Sequence, residues 1–389
     1  MSGRRSLWVY VLTLLSLLVL LFFYGAPILL AAIVVLLLLP LPLGLGLRRD
    51  AKLIQLECQY PAKVQVGQKT ELRFLLHRKR MLFSGRCAYV TILVHNTMTG
   101  QDTLHDLCMP IWGDGEAYVL EEPLQECGEL VVSFQKGWIV DHLELFRCAL
   151  GPFDAMRSTV YPQLVSVDAT LEQRPVGSPW EDGPMQNRKG ADHSETFDIR
   201  EYHPGDDVRS IHWKLSVKAD NLIVRIPGSP EFFDLVVLPN FGLEDDSGPV
   251  PQKKRNAALA YGCAVLDRLT RKGIRCCLAL PRGEELVLRQ ITGPQELEKV
   301  MVEWMGTPLP KVSGQPMRMF RSQHLDLSFS RMLLLNTDRE MDRRPLNGMA
   351  VTVLAVTENG SQGMTELGEA RLLELPEKPE RSRTYRIQV

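Results

Sequence analysis

Between residues 195 and 226 the chain gathers side-chain types from which acid–base and anion-binding sites are built. Arg200, Asp206, Asp207, Arg209, His212, Lys214 and Ser216 stand here among Tyr202 and Trp213. Ser216 follows His212 by four positions, which on a helix puts a hydroxyl and an imidazole on one face. A Ser–His relay also needs a third, orienting partner, and neither that partner nor a G-x-S-x-G elbow is visible. Asp206 and Asp207 could act as acid and base, yet the cations at Arg200 and Arg209 favour ion pairing over proton transfer. No G-x-x-x-x-G-K-[ST] stretch occurs, so a P-loop nucleotide site is excluded. No residue is assigned a catalytic role.

These residues depend on a turn. Tyr202-His203-Pro204-Gly205-Asp206-Asp207 predicts one, because Pro presets φ and Gly permits positive φ. Asp206 can cap a short helix whose first turn holds Val208 to Ser210, and residues 222–226 read as a strand ending at Pro227-Gly228. Two roles stay open. In one, Arg200, Asp206 and Arg209 lock the turn against a sheet, with Trp213 in the core. In the other the turn is a docking site, since Arg and Trp dominate interface energetics. The candidate binding residues are Arg200, Tyr202, Gly205, Asp206, Arg209, His212, Trp213, Lys214 and Ser216.

Residues 7–24 and 28–47 are uncharged apolar runs, interrupted by Gly25-Ala26-Pro27. At about 1.5 Å rise per residue each can span a hydrocarbon core of about 30 Å, which predicts a transmembrane hairpin in the lipid bilayer. Arg4 and Arg5 precede it, and Arg48, Arg49 and Lys52 follow, so the positive-inside rule predicts a two-pass cell-membrane protein with both termini cytoplasmic. Short alternating runs at 63–66, 71–76, 88–94, 117–120, 129–134 and 143–146 predict an all-β sandwich over residues 51–167. Arg78-Lys79-Arg80 reads as a solvated hairpin tip. Residues 168–194, rich in Pro, Gly and charge, predict a linker or mobile loop in which Trp180 is either an anchor or packed on its own domain. Beyond it, strands at 232–238, 274–280, 285–291, 331–335 and 350–356 alternate with helices at 253–272 and 294–305. That order argues for an α/β domain over 195–375 with a mostly parallel sheet. A short helix is expected at 362–367 and a loose charged tail over 376–389.

Net charge is −1, and no basic stripe with interleaved aromatics supports nucleic-acid binding. The eight cysteines are scattered without a C-x-x-C pair, which argues against structural zinc and suits small buried hydrophobes in a reducing compartment.

The run Arg200-Glu-Tyr-x-Pro-Gly-Asp206, then Arg209-x-Ile-x-Trp213-Lys, then Ser216 resembles the signature of the domain-of-unknown-function 58 family. The resemblance implies a membrane-anchored protein with a von Willebrand A-like (Rossmann-type) α/β domain. The segment from Cys127 to Arg147 is similar to the β-domain that precedes the signature in this family. MoxR-type AAA+ ATPases and transglutaminase-like membrane proteins are the partners the resemblance implies. The metal loop of such a domain is D-x-S-x-S, whereas the corresponding Leu238-Pro239-Asn240-Phe241-Gly242 lacks its anionic ligand, so the metal site is degenerate. Asp245, Asp246 and Ser247 could offer a substitute set or form an acidic surface loop. Together these features predict a non-enzymatic membrane adaptor or scaffold in cell-envelope assembly or stress response, without cofactor or metal. The alternatives are an enzyme using the Asp206/Arg209/His212 turn, or a purely structural scaffold.

Overall fold

The computed structural model describes residues 2–78, 86–111, 116–163, 165–171, 196–201, 211–219, 221–227, 235–325, 329–339, 349–358, 360, 364–367, 370–380 and 382–389. Three helices open the chain: α1 (Ser2–Tyr24), α2 (Pro27–Leu38) and α3 (Pro40–Leu53). Gly25 turns the chain between the first two at φ 59°, a left-handed conformation that favours glycine. Pro40 starts α3, so it has no N–H for the Leu36 carbonyl four residues back. Tyr10 of α1 supplies the missing donor through its hydroxyl. Two segments, Arg5–Tyr24 and Pro27–Leu53, are long and apolar enough to cross a membrane.

The second segment does not end at its first charges. α3 carries Arg48, Arg49, Asp50 and Lys52 on to Leu53, across the boundary expected after residue 50, and enters β1 directly. The reason is packing. Leu47 and Ala51 are buried in the core of the β region, so this part of the helix belongs to the body. Asp50 goes in with them, fully buried, and meets the equally buried Arg86 at 2.8 Å.

The β region comprises β1 (Ile54–Gln59), β2 (Lys63–Gln65), β3 (Lys69–Arg78), β4 (Arg86–Asn96), β5 (Asp102–Ile111), β6 (Glu116–Pro123), β7 (Gly128–Val140), β8 (Arg147–Ala149), β9 (Met156–Tyr161) and β10 (Ser166–Thr170). One sheet runs β1-β3-β6, and another runs β2-β9-β7-β4-β5 with β8 beside β7. Alternate residues of β4 (Ala88, Val90, Ile92) and of β3 (Leu72, Phe74, Leu76) bury themselves in one shared core. Residues 143–146, expected as a strand, are a loop. The Asp141 carboxylate accepts the N–H groups of Leu143 (3.2 Å) and Phe146 (2.6 Å), which turns the chain before β8. Of the basic tip, residues 79 and 80 lie outside the described residues, as do 172–195 with Trp180.

The second half contains β11 (Thr196–Glu201), α4 (Trp213–Ala219), β12 (Ile223–Pro227), β13 (Leu235–Pro239), β14 (Glu244–Asp245), β15 (Gly248–Pro249), α5 (Gln252–Arg271), β16 (Cys276–Arg282), β17 (Glu285–Ile291), α6 (Pro294–Gly306), α7 (Gln315–Ser322), β18 (Arg331–Asn336), β19 (Ala350–Thr357), β20 (Met364–Leu367), β21 (Ala370–Pro376) and β22 (Thr384–Gln388). A mixed sheet runs β17-β16-β13-β18-β19-β21-β20, parallel from β16 to β21 and antiparallel at both edges. Both faces are covered, so β13 is continuously apolar. Leu235 and Val237 face α5 and α6, while Val236 and Leu238 face α7.

Three sequence expectations change here. Residues 364–367 are the edge strand β20 and not part of a helix, because they pair with β21. The helix α7 was not anticipated. The tail is not loose either: β22 pairs in parallel with β10, and Tyr385, Ile387 and Val389 are buried. Polar Thr384, Arg386 and Gln388 alternate with them, the period-2 pattern of a strand buried on one face. Tyr385 meets Tyr261 of α5 edge to face with ring centroids 5.3 Å apart.

The two halves of the body are joined by a polar seam. Glu126 pairs with Arg255 at 2.6 Å, and both side chains are largely buried. Asn256 accepts from the Cys127 N–H at 3.2 Å and donates to the Gln125 carbonyl at 2.6 Å. Leu309 N–H donates to the Met98 carbonyl at 2.8 Å.

Removing one partner of a buried ion pair strands the other charge. Asp50→Ala should therefore lower unfolding free energy by about 3–5 kcal/mol in denaturant titrations of the detergent-solubilised chain; a change near zero would mean the pair is not buried. Tyr385→Ala should cost about 3 kcal/mol or more by emptying the site beneath α5. A tail that is loose in solution would instead tolerate it, with an unchanged melt.

Candidate functional site

The described part of the signature is the end of β11 and residues 211–219 with α4. The N-cap of α4 is His212, whose ring Nδ1 accepts the Leu215 N–H at 3.4 Å while the His212 backbone N–H donates to the Ile223 carbonyl at 2.8 Å. Ser216, one turn in, is buried. Its Oγ donates to the His212 carbonyl at 3.1 Å and accepts the Ile223 N–H at 2.9 Å. Both hydrogen-bonding roles of this hydroxyl are thus spent on tying α4 to β12. The spacing of His212 and Ser216 reflects a helix start, and their side chains do not form a relay.

Trp213 is not in the core, contrary to the reading in which the turn is purely structural. It is 60% exposed, and Val217, one turn further, is 83% exposed. Burial went instead to Ile211 and Ser216, because the tie to β12 faces that side inward. Exposed Lys214 lies beside Trp213, and Leu222, just before β12, is also exposed. Arg200 sits on β11 opposite Val224 of β12. The Arg200 side chain, and Tyr202, Gly205, Asp206 and Arg209 with the turn they belong to, lie outside the described residues. The Asp206/Arg209/His212 combination therefore has only His212 placed.

A second candidate lies at the carboxyl end of the sheet, between β13 and β18. The connections run from β13 to β16 on one side, and β18 lies on the other, the kind of reversal where open α/β sheets hold ligands. Here the chain occupies the position itself. Asn240 is buried, its Oδ1 accepts the Met317 N–H at 3.0 Å, and its Nδ2 donates to Asn336 Oδ1 at 3.1 Å. Gly242 donates to Ser313 Oγ at 3.0 Å, and a Cβ there would lie 2.7 Å from the Pro310 carbonyl oxygen. A neutral amide is the right chemistry for capping α7, since it can accept from an N–H and donate to a second amide at once. Asp245 accepts the Ser247 N–H at 2.9 Å within the β14–β15 turn. Among the described residues, no three His, Cys, Asp or Glu side chains cluster to hold a metal.

All eight cysteines are free thiols, and burial pushes Cys58, Cys276 and Cys277 up to about 12, well above the range where a thiolate nucleophile forms.

Residues 198–322 match the model of a family described as protein of unknown function DUF58. The match covers that part of the chain, called the DUF58 segment below. The DUF58 segment starts within β11 and closes at the last residue of α7, so it holds α4 and Asn240 but not Asn336 of β18. Arg255 and Asn256 belong to it as well, and their seam partners at 125–127 lie outside it. No curated protein matches the sequence.

Solved structures with local similarity include a cohesin module of a family 33 glycoside hydrolase from Clostridium perfringens, at 10% identity and TM-score 0.19, covering 28% of this chain and 96% of that one. A CARDB domain from Pyrococcus furiosus in complex with di-metal ions matches at 11% identity and TM-score 0.20, covering 28% and 91%. A β-glucosidase from Listeria innocua matches at 10% identity and TM-score 0.19, covering 28% of this chain and only 16% of the enzyme. Scores of this size carry no argument about the DUF58 protein.

The two exposed and buried faces of α4 make opposite demands. Ser216→Ala deprives the Ile223 N–H of its acceptor and should cost about 1–3 kcal/mol. Trp213→Ala, on the exposed face, should stay within about 0.5 kcal/mol of wild type. Denaturant melts of both variants test this; a large loss in Trp213→Ala would place the ring in a packed environment.

Proposed function

We propose that this DUF58 protein is a non-enzymatic, membrane-anchored adaptor that docks a MoxR-type AAA+ ATPase through α4, in cell-envelope assembly or stress response. In this reading α1 to α3 anchor it in the bilayer, and the β region is a β-sandwich spacer. The seven-stranded α/β body is von Willebrand A-like, with Asn240 in place of the metal-loop carboxylate.

One observation carries the docking role: Trp213 and Val217 stand exposed one turn apart on a helix whose other face is tied down. A preorganised aromatic anchor loses little conformational freedom on binding, which is why such residues dominate interface energetics. Asn240 supports the non-metal side of the reading, because its amide is already engaged with Met317 and Asn336. The identity of the partner rests on the family resemblance alone.

The test is an affinity pull-down from native membranes, with the captured proteins identified by mass spectrometry. Wild type is compared with Trp213→Ala and Val217→Asp, each first checked by its melt. An AAA+ ATPase should co-purify with wild type and fall at least about tenfold for the folded variants, matching a loss of about 1.4 kcal/mol or more. An ATPase retained equally by all three would remove α4 from the interface. No ATPase with any of them would sink the adaptor reading.

A further inference from the structure

We infer that the loop between β7 and β8, carrying Leu143 and Phe146, is a second membrane contact that inserts at the headgroup–acyl boundary of an anionic leaflet. The inference rests on the reading of α1 to α3 as a bilayer anchor and adds a contact outside the helices. The Phe146 ring lies against the last apolar turn of that anchor, 3.6 Å from where a Cβ on Gly44 would be. Gly46 and Leu47 are buried in the body, so the lipid-facing part of the run ends near Leu45; at about 1.5 Å per residue the stretch from Ile28 covers most of a hydrocarbon core of about 30 Å, which puts Gly44 near its edge. Phe146 is therefore held at the depth of the membrane boundary by the helix it touches.

The loop carries apolar side chains and is rigid at its base. Leu143 is 44% and Phe146 39% exposed, and on α3 the residues Leu41 and Leu45, either side of Gly44 in sequence, are exposed as well. Asp141, itself buried, holds the N–H groups of both Leu143 and Phe146. Glu144 takes a positive φ of 52° between them. An isolated soluble domain has no reason to stiffen a loop so that leucine and phenylalanine face water, whereas an interfacial contact requires it.

Charge agrees. Arg48, Arg49 and Lys52, which follow Gly44 on α3, and Arg147, which follows Phe146, are all exposed, and they outnumber Glu144, the acid between Leu143 and Phe146. Basic residues beside an apolar wedge are the composition of a surface that meets anionic lipid. The bilayer is favoured over a protein occupant because the patch is continuous with a helix segment already apolar enough to lie in lipid.

The test uses the full chain in phosphatidylcholine–phosphatidylglycerol vesicles, with and without lipids brominated near the headgroup. Leu143→Trp, at an exposed position, adds one fluorophore, and its contribution is the difference from wild type. Brominated vesicles should abolish most of the added emission, and aqueous acrylamide should barely reduce it. Quenching by acrylamide with none by bromolipid, in chains that resist carbonate extraction, overturns the loop contact and leaves the anchor intact. Protection from both quenchers would mean that another copy of the chain covers the loop, and also overturns it. Extraction of the wild-type chain by carbonate would bring down the anchor reading and this inference together.

Discussion

The contact between Asp50 and Arg86 governs how this chain is assembled. Both groups are fully shielded from water, Asp50 on a helix that follows an apolar membrane-length segment and Arg86 at the first position of β4. Taking either charge out of water alone is expensive, and their attraction in a low-dielectric interior repays it only when both are present. The helix cannot be seated without the strand. Leu47 and Ala51 on the same turn add an apolar reason for the same seating, so the end of α3 and the β region form one packed unit.

The same logic repeats further along. The 125–127 segment is pinned to the start of α5 by Glu126–Arg255 and by the two-way hydrogen bonding of Asn256, with Met98 and Cys127 contributing to the core under α5 and α6. At the other end of the helix, Lys272 and Arg268 hold Asp168 of β10 and keep its carboxyl below the ordinary carboxylate range. β22 returns along β10, so the last residues of the chain close the layer that the middle of the chain opened.

Within that segment, polar groups are used in two opposite ways. At the carboxyl end of β13, Asn240 and Ser313 satisfy the chain's own backbone, which leaves the usual ligand position of an open α/β sheet occupied from within. On α4 the buried polar atoms of Ser216 and His212 are likewise consumed, yet they leave Trp213 and Val217 facing outward. Apolar surface held in water by a rigid base is more readily explained by recognition than by stability, since burying it would have been favourable by about 25 cal/mol per Å².

Local pattern alone determined a good deal. The two apolar runs, the continuous strands β13, β18 and β19, the amphipathic helices α5 and α6 with Gly273 and Pro294 at their ends, and the family signature all follow from residue type and spacing over a few turns. The polar Thr384-x-Arg386-x-Gln388 alternation was legible as well, although its charge outweighed it in the reading of the tail. What the tertiary structure decided was which neighbour each segment meets. Residues 364–367 became a strand because β21 offered an open edge, and 143–146 became a loop because Asp141 captured two N–H groups. α3 outran its apolar stretch because Arg86 was waiting in the core, and Trp213 stayed outside because β12 claimed the other face of its helix. Burial and pairing of this kind depend on chain segments distant in sequence, and no local window of residues contains them.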